Sequence, residues 1–406
     1  MNNFSNLNYQ KGFQDQEIVY KISEGKYIEE TEISKFVENS NIIDLLKFSK
    51  YLRNRNNPNQ IITYSRKVFI NLINLCKDTC SYCTYKKEPS NIDSVLLNPS
   101  QVLSIAEAGQ KLRCTEALIV TGERPELKYA EAKRWLYQLG YKTLVELIAN
   151  LSETILKKTG LLPHTNAGSL TKKEMSMLKP TNVSLGMMLE NSSEKLLEVG
   201  NAHENAPSKN PKVRIKSLIA AGELKIPITT GLLIGIGESL FDVIKSLLLI
   251  KQLNAKYGNI QEVIIQNFAP KIGTSMENSS PPSDNYFLRC VAIARILLKN
   301  INIQVPPNLS PNIYSRYVDA GINDWGGISP LTPDYVNPEY PWPTINDVQK
   351  VSNLKGFKLR ARLPIYPEFI TDQNKYNYFV TSNLKGFIEA LIDNTGLVKE
   401  DTYNEY

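Results

Sequence analysis

From Lys67 onward, short apolar runs alternate with longer stretches of helical period, and this alternation restricts the fold more than any other feature of the 406 residues. Such a pattern marks repeated β-α units around a parallel sheet. Strand candidates occupy residues 68–73, 117–120, 161–165, 183–189, 228–234, 263–268 and 303–305, with an eighth at 325–328. Helices fall between them. One opens at Pro99 behind the cap candidate Asn98, and another spans 239–257 with Leu240, Ile244, Leu247, Leu248 and Leu253 on one stripe. Seven or eight units predict an α/β fold, a (β/α) barrel of the TIM type, whose site is built by the loops that follow the strands.

The barrel is expected at residues 61–345. Residues 1–60 form a helical N-terminal extension in which Ile33, Phe36, Val37, Leu45, Leu46, Phe48 and Leu52 recur at helical spacing. Residues 346–406 form a short C-terminal extension of one or two helices. Eight prolines between 305 and 343 leave two readings, a rigid connector or a loop across the barrel mouth.

Charge excludes some partners. Against 41 Asp and Glu stand 47 Lys and Arg, a net charge of +6 spread along the chain, which argues against a nucleic-acid face. The most apolar stretch, 230–253, is broken by Glu238, Asp242, Lys245 and Lys251, so no membrane span is expected. Met1 to Gln16 lacks the pattern of an export signal, and the chain reads as cytoplasmic. Five cysteines are too few for a disulfide scaffold.

Three of those cysteines are grouped directly after the first strand, as Cys76-x3-Cys80-x2-Cys83. Two further cysteines at set offsets from a given one arise by chance about once in ten thousand. Closed zinc and iron–sulfur sites usually take four protein ligands. Three thiolates on a four-iron cubane leave one iron open to a small molecule. A structural zinc with a distant histidine is the competing reading, and the chain has only His164 and His203 to offer. Cys114 and Cys290 read as buried hydrophobes.

The triad, with Tyr82 before its last cysteine, resembles the motif of the radical S-adenosylmethionine enzymes. The resemblance implies one [4Fe-4S] cluster on Cys76, Cys80 and Cys83, with S-adenosyl-L-methionine on the open iron. Reduction by a low-potential electron donor would then release methionine and a 5′-deoxyadenosyl radical. Other cofactor contacts are implied by matching positions. Gly122 and Glu123, in Thr121-Gly122-Glu123, stand where the family has Gly-Gly-Glu, with Thr in place of the first Gly. Gly235 and Glu238 fit a G-x-I-x-G-x-x-E pattern that carries Leu233 at the Ile, and Glu190 ends the fourth strand. Met187 and Met188 read as barrel filling.

Longer stretches narrow the resemblance. Residues 163–168, 184–190, 203–209, 266–268 and 321–327 resemble the ring-closing synthases of deazaflavin biosynthesis, a likeness that runs from about Tyr64 to Pro343. It implies a lyase-type ring closure on 5-amino-5-(4-hydroxybenzyl)-6-(D-ribitylimino)-5,6-dihydrouracil, with loss of ammonia. A tyrosine-using radical partner would supply that substrate. Asn166, Gln266, Asn267, Asp324 and Trp325 are the expected substrate contacts, His203 the proton-transfer candidate, and His164 a structural hydrogen bonder. The sibling enzyme that uses tyrosine, an enzyme of futalosine-route menaquinone synthesis, and a non-enzymatic cluster or zinc protein are the alternatives.

Overall fold

The computed structural model describes residues 16–26 and 28–400, so the export-signal expectation falls outside the described residues up to position 15. Eight parallel strands close on themselves. They are β1 (Ile61–Ile73), β2 (Glu116–Thr121), β3 (Leu162–Asn166), β4 (Ser184–Gly186), β5 (Ile228–Ile234), β6 (Ile260–Asn267), β7 (Asn302–Gln304) and β8 (Asp324–Ile328). The ring of helices comprises α4 (Pro99–Lys111), α5 (Ala130–Gln138), α6 (Leu144–Thr159), α7 (Lys172–Leu178), α8 (Pro211–Glu223), α9 (Leu240–Tyr257), α10 (Asp284–Leu297) and α11 (Ser315–Asp319). Ahead of them come α1 (Gln16–Glu24), α2 (Glu30–Asn39) and α3 (Ile42–Arg55).

Local chemistry starts and stops these helices where the sequence signals do. Asn98 and Ser239 each accept from the third backbone N–H of their helix and receive the reciprocal side-chain bond, a capping box. α9 ends at Gly258, whose φ of +66° suits glycine best. On the preface, Ile33, Phe36, Val37, Leu45, Phe48 and Leu52 are all buried in the main core, where α2 packs on α9 and α3 on α10. Each such burial is worth about 1.5–3 kcal/mol before chain entropy is subtracted.

Two strands differ from expectation. β1 begins at Ile61 rather than 68, because its first residues pair with β9 (Lys358–Arg362), a strand in the segment expected to be helical. β4 stops at Gly186 rather than 189. The chain turns there to bring Glu190, at φ +64°, back to a bridge with Leu232. The C-terminal segment adds α12 (Ile345–Leu354), α13 (Gln373–Phe379) and α14 (Ser382–Leu391) to β9.

β9 delivers Arg362 to the barrel floor. Its Nε donates to Asp324 Oδ2 at 2.6 Å, and its Nη2 to Asp324 Oδ1 at 3.0 Å and Glu262 Oε1 at 2.9 Å. The Tyr366 and Thr229 hydroxyls donate to Glu262 at 2.7 and 2.9 Å, and the Thr63 hydroxyl donates to Asp324. Asp324, expected at the substrate, is therefore a sealed floor residue with no exposure. Trp325, its neighbour in a strand of period two, is carried to the opposite face. Its indole donates to Ser352 Oγ on α12 at 3.0 Å and stands edge-on to Tyr314. Trp325 thus anchors the C-terminal segment rather than the substrate.

Among the described residues no helix is long and apolar enough to cross a membrane.

Candidate active site

The loop after β1 that carries the cysteines is stitched to three other loops. Lys77 N donates to Glu123 O at 2.8 Å after β2, and Thr79 N and Ser81 N donate to Asn205 O and Ala202 O after β4 at 2.8 and 3.0 Å. Met276 N, after β6, donates to Ser81 O at 3.0 Å. This bonding turns Cys76, Cys80 and Cys83 to one cavity of about 340 Å³ at the C-terminal end of the strands, within the range of small-molecule sites. Glu123 N points at Cys76 Sγ from 3.2 Å. Burial pushes the Cys76 thiol up to about 11 and Cys80 to about 12, and a bound cationic cluster is what would reverse that preference and take them as thiolates.

Three thiols round one cavity fit a cluster that holds three cysteines and presents its fourth corner to a ligand. The residues that line the cavity include no histidine to complete a zinc site with them. Cys114 and Cys290 are buried apart from the cavity.

Glycines make room for the carboxylates. A Cβ on Gly122 would stand 2.0 Å from Leu75 O, so the close approach belongs to this position and not to Thr121. Thr121 therefore leaves this close approach intact. Glu123 lines the cavity and accepts from Ser169 N at 2.9 Å, and a Cβ on Gly168 would overlap its Oε2 at 1.9 Å. Burial raises its carboxyl, while Arg214, 4.0 Å away, opposes. Glu190 lines the cavity paired with Lys209. Burial works against its charge, but Lys209 and Arg214 hold its carboxyl below the usual value. Arg214 is itself fastened by Nη1 to Met188 O at 2.8 Å.

Asn166, Gln266, Asn267 and both methionines Met187 and Met188 also line the cavity. Asn166 Oδ1 lies 3.0 Å from His164 Nε2, and His164 Nδ1 lies 2.6 Å from Ser184 Oγ, the structural hydrogen bonding expected of that histidine. Asn267 Nδ2 reaches Ser310 Oγ at 3.2 Å, leaving its Oδ1 buried without a partner.

Besides Asp324 and Trp325, three more expected residues stand outside the cavity. Glu238 is spent on its own loop, accepting from Gly235 N and Ile236 N at 2.7 and 2.8 Å, so Gly235 and Glu238 shape the turn. His203 is behind Tyr82, its Nε2 3.1 Å from the Tyr82 hydroxyl, and is 2% exposed. Burial takes its imidazole down to about 4. His203 thus braces Tyr82 and does not itself line the cavity, so any proton transfer by this histidine would run through the Tyr82 hydroxyl.

Sequence reasoning missed Lys67, Gln304, Lys209, Lys271 and Trp342 among the cavity residues. A signal for the first existed. Ser65, Lys67 and Asn71 alternate with Arg66, Val68 and Ile70 in β1, a period of two that turns polar groups inward. The proline-rich segment 305–343 covers the mouth, since Pro306, Val336 and Trp342 line the cavity and Lys271 Nζ ties to Val336 O at 2.6 Å.

A closed parallel barrel with three cysteines after its first strand is the architecture of the radical SAM superfamily, whose family model matches residues 70–250. The hydrogenase maturase HydG from Carboxydothermus hydrogenoformans shares this fold, with a TM-score of 0.69 at 20% identity, over 93% of this chain and 91% of that one. The 7,8-didemethyl-8-hydroxy-5-deazariboflavin synthase of Methanopyrus kandleri is 43% identical over 339 residues, 84% of this chain and all of that protein. The FO synthase of Nocardia farcinica is 40% identical over 84% of this chain but only 40% of its own length. The chain belongs to the 7,8-didemethyl-8-hydroxy-5-deazariboflavin synthase family, radical SAM enzymes of deazaflavin biosynthesis.

Proposed function

We propose that the chain closes the deazaflavin ring, converting 5-amino-5-(4-hydroxybenzyl)-6-(D-ribitylimino)-5,6-dihydrouracil to 7,8-didemethyl-8-hydroxy-5-deazariboflavin (FO), with release of ammonia, methionine and 5′-deoxyadenosine. The observation that carries this reading is that the three cysteines share one cavity with the amides of Asn166, Gln266, Asn267 and Gln304. Cys76, Cys80 and Cys83 would hold one [4Fe-4S] cluster, and Glu123, Glu190, Lys209 and Arg214 surround the place of S-adenosyl-L-methionine. Bound there, the pair supplies the radical that removes hydrogen from the substrate.

The chain's own residues bind, orient and exclude water. Lys209 and Arg214 present positive charge toward a carboxylate, and Glu123 and Glu190 present negative charge toward an ammonium. The amides offer both donors and acceptors to an imide ring and a polyhydroxylated chain. The proline-rich strap shields the chemistry from bulk solvent. The barrel of residues 61–345 carries the site, α2 and α3 of the N-terminal extension (1–60) brace its outer helices, and β9 of the C-terminal extension (346–406) seals its floor. The setting is cytoplasmic, with substrate delivered by a tyrosine-using radical partner and electrons by a low-potential donor; the greater length of the Nocardia relative supports a second catalytic unit.

Anaerobic reconstitution followed by reductant, S-adenosylmethionine and the hydroxybenzyl substrate tests the reading. Fluorescent product and 5′-deoxyadenosine are expected. Neither forming on a cluster-loaded enzyme would overturn it.

A further inference from the structure

Lys67 rises from β1 into the cavity, and its place is made by an absence. A Cβ on Gly327 would stand 1.9 Å from Lys67 Cε and 2.1 Å from Nζ, while a Cβ on Gly326 would meet Gln304 Nε2 at 2.1 Å. The paired glycines of β8 therefore admit two polar side chains to the barrel interior. Among the described residues no hydrogen bond or ion pair reaches Lys67 Nζ; its near neighbours are the rings of Phe69, 4.9 Å away, and Trp342, 5.9 Å away. The Trp342 ring lines the same cavity, while its indole nitrogen is itself buried away from the open space. An ammonium donor beside aromatic walls suits an acceptor oxygen carried on an aromatic ring. Amide side chains, which suit an imide, are provided elsewhere in the cavity.

We propose that Lys67 anchors the phenol oxygen of the substrate's 4-hydroxybenzyl ring between the rings of Phe69 and Trp342. This rests on the ring-closing function proposed above and specifies how the enzyme selects its substrate. Burial lowers the Lys67 ammonium, Glu116, Asp334 and Glu262 oppose that, and Arg362 adds to it. A phenol oxygen sharing its proton with Lys67 relieves the desolvated charge.

The test compares kcat/KM for the 4-hydroxybenzyl substrate and its benzyl counterpart without the hydroxyl. Wild-type enzyme is expected to favour the hydroxylated substrate by roughly 10²-fold or more, and Lys67→Met to bring the ratio to within a few-fold, with cluster absorption retained. Lys67→Gln, which keeps a neutral donor, is expected to fall between them. Independently of turnover, the affinity of the reduced-size probe FO, read by its fluorescence, should weaken at least tenfold in both variants, while its 8-deoxy analogue binds unchanged. A preference that survives in Lys67→Met, or an equal loss for both substrates and both probes, would overturn the anchor. No product from wild type would instead overturn the function on which it rests.

Discussion

The two ends of the barrel are both lined with buried charge, and they differ in how that charge is matched. At the floor, Arg362 meets Asp324 and Glu262, Tyr366 and Thr229 complete the carboxylates, and none of these five leaves a buried side-chain atom unpartnered. At the mouth, Trp342 Nε1 and Asn267 Oδ1 are buried without partners, and among the described residues no hydrogen bond or ion pair reaches Lys67 Nζ. A satisfied network holds a fold together, whereas an unsatisfied buried group costs about 1–3 kcal/mol until a ligand completes it. Burial and charge alone do not locate a site; hydrogen-bond partners are what separate Asp324 from the groups that face the cavity. Asp324 shows the point, because its place in the sequence near a strand end resembled a substrate contact while its hydrogen bonds are all structural.

That contrast can be broken by perturbing each end in turn. Cys80→Ala is expected to abolish cluster absorption and lower 5′-deoxyadenosine formation at least roughly 10³-fold, more than 4 kcal/mol of barrier, with little effect on the melting of the metal-free protein. Full cluster loading in that variant would remove the mouth from the chemistry. Arg362→Met should behave in the opposite sense. It strands two carboxylates in the floor and is expected to cost about 3–5 kcal/mol in chemical denaturation, with KM for S-adenosylmethionine unchanged in the folded fraction. A loss under 1 kcal/mol would mean the floor is not closed.

His164 joins the two ends, and its titration sharpens the boundary. Burial takes its imidazole from the ordinary 6.5 down to about 4, opposed by Glu116. Between those values the unfolded chain takes up a proton that the folded chain refuses. Stability is therefore fully present above pH 6.5 and is lost as pH falls through 4, by roughly 3 kcal/mol in all. His164→Gln should flatten this part of the stability profile relative to wild type; parallel profiles would place water around the ring. The smallest effect is expected of Trp325→Phe, which removes one hydrogen bond to Ser352 and should cost about 1 kcal/mol with kcat/KM intact. A large loss of kcat/KM at unchanged stability would return Trp325 to the substrate.

Much of the barrel was legible because its signals are local. The capping residues Asn98 and Ser239, the apolar runs of β5 and β6 and the stripe of α9 each act within a few residues of themselves. The cysteine loop was legible for the same reason, since a cluster needs its ligands close together in one turn. β9 was not, because Lys358–Arg362 becomes a strand only by pairing with Ile61–Ser65, almost 300 residues earlier. Its own alternation, Leu359 and Ala361 between Lys358, Arg360 and Arg362, is only five residues long and so charged that it does not stand out from a helix or loop.

Cysteine spacing, strand and helix periods and the glycines at strand ends by themselves determined a closed β-α barrel with three thiols after its first strand. Tertiary structure alone decided which polar groups reach the cavity. It sent Asp324 to Arg362 and His203 behind Tyr82, turned Trp325 outward, and left Lys67 facing the space that Gly327 vacates. The reason is physical: a residue's type sets what it can bond to, but only the packed chain sets what stands within 3 Å of it.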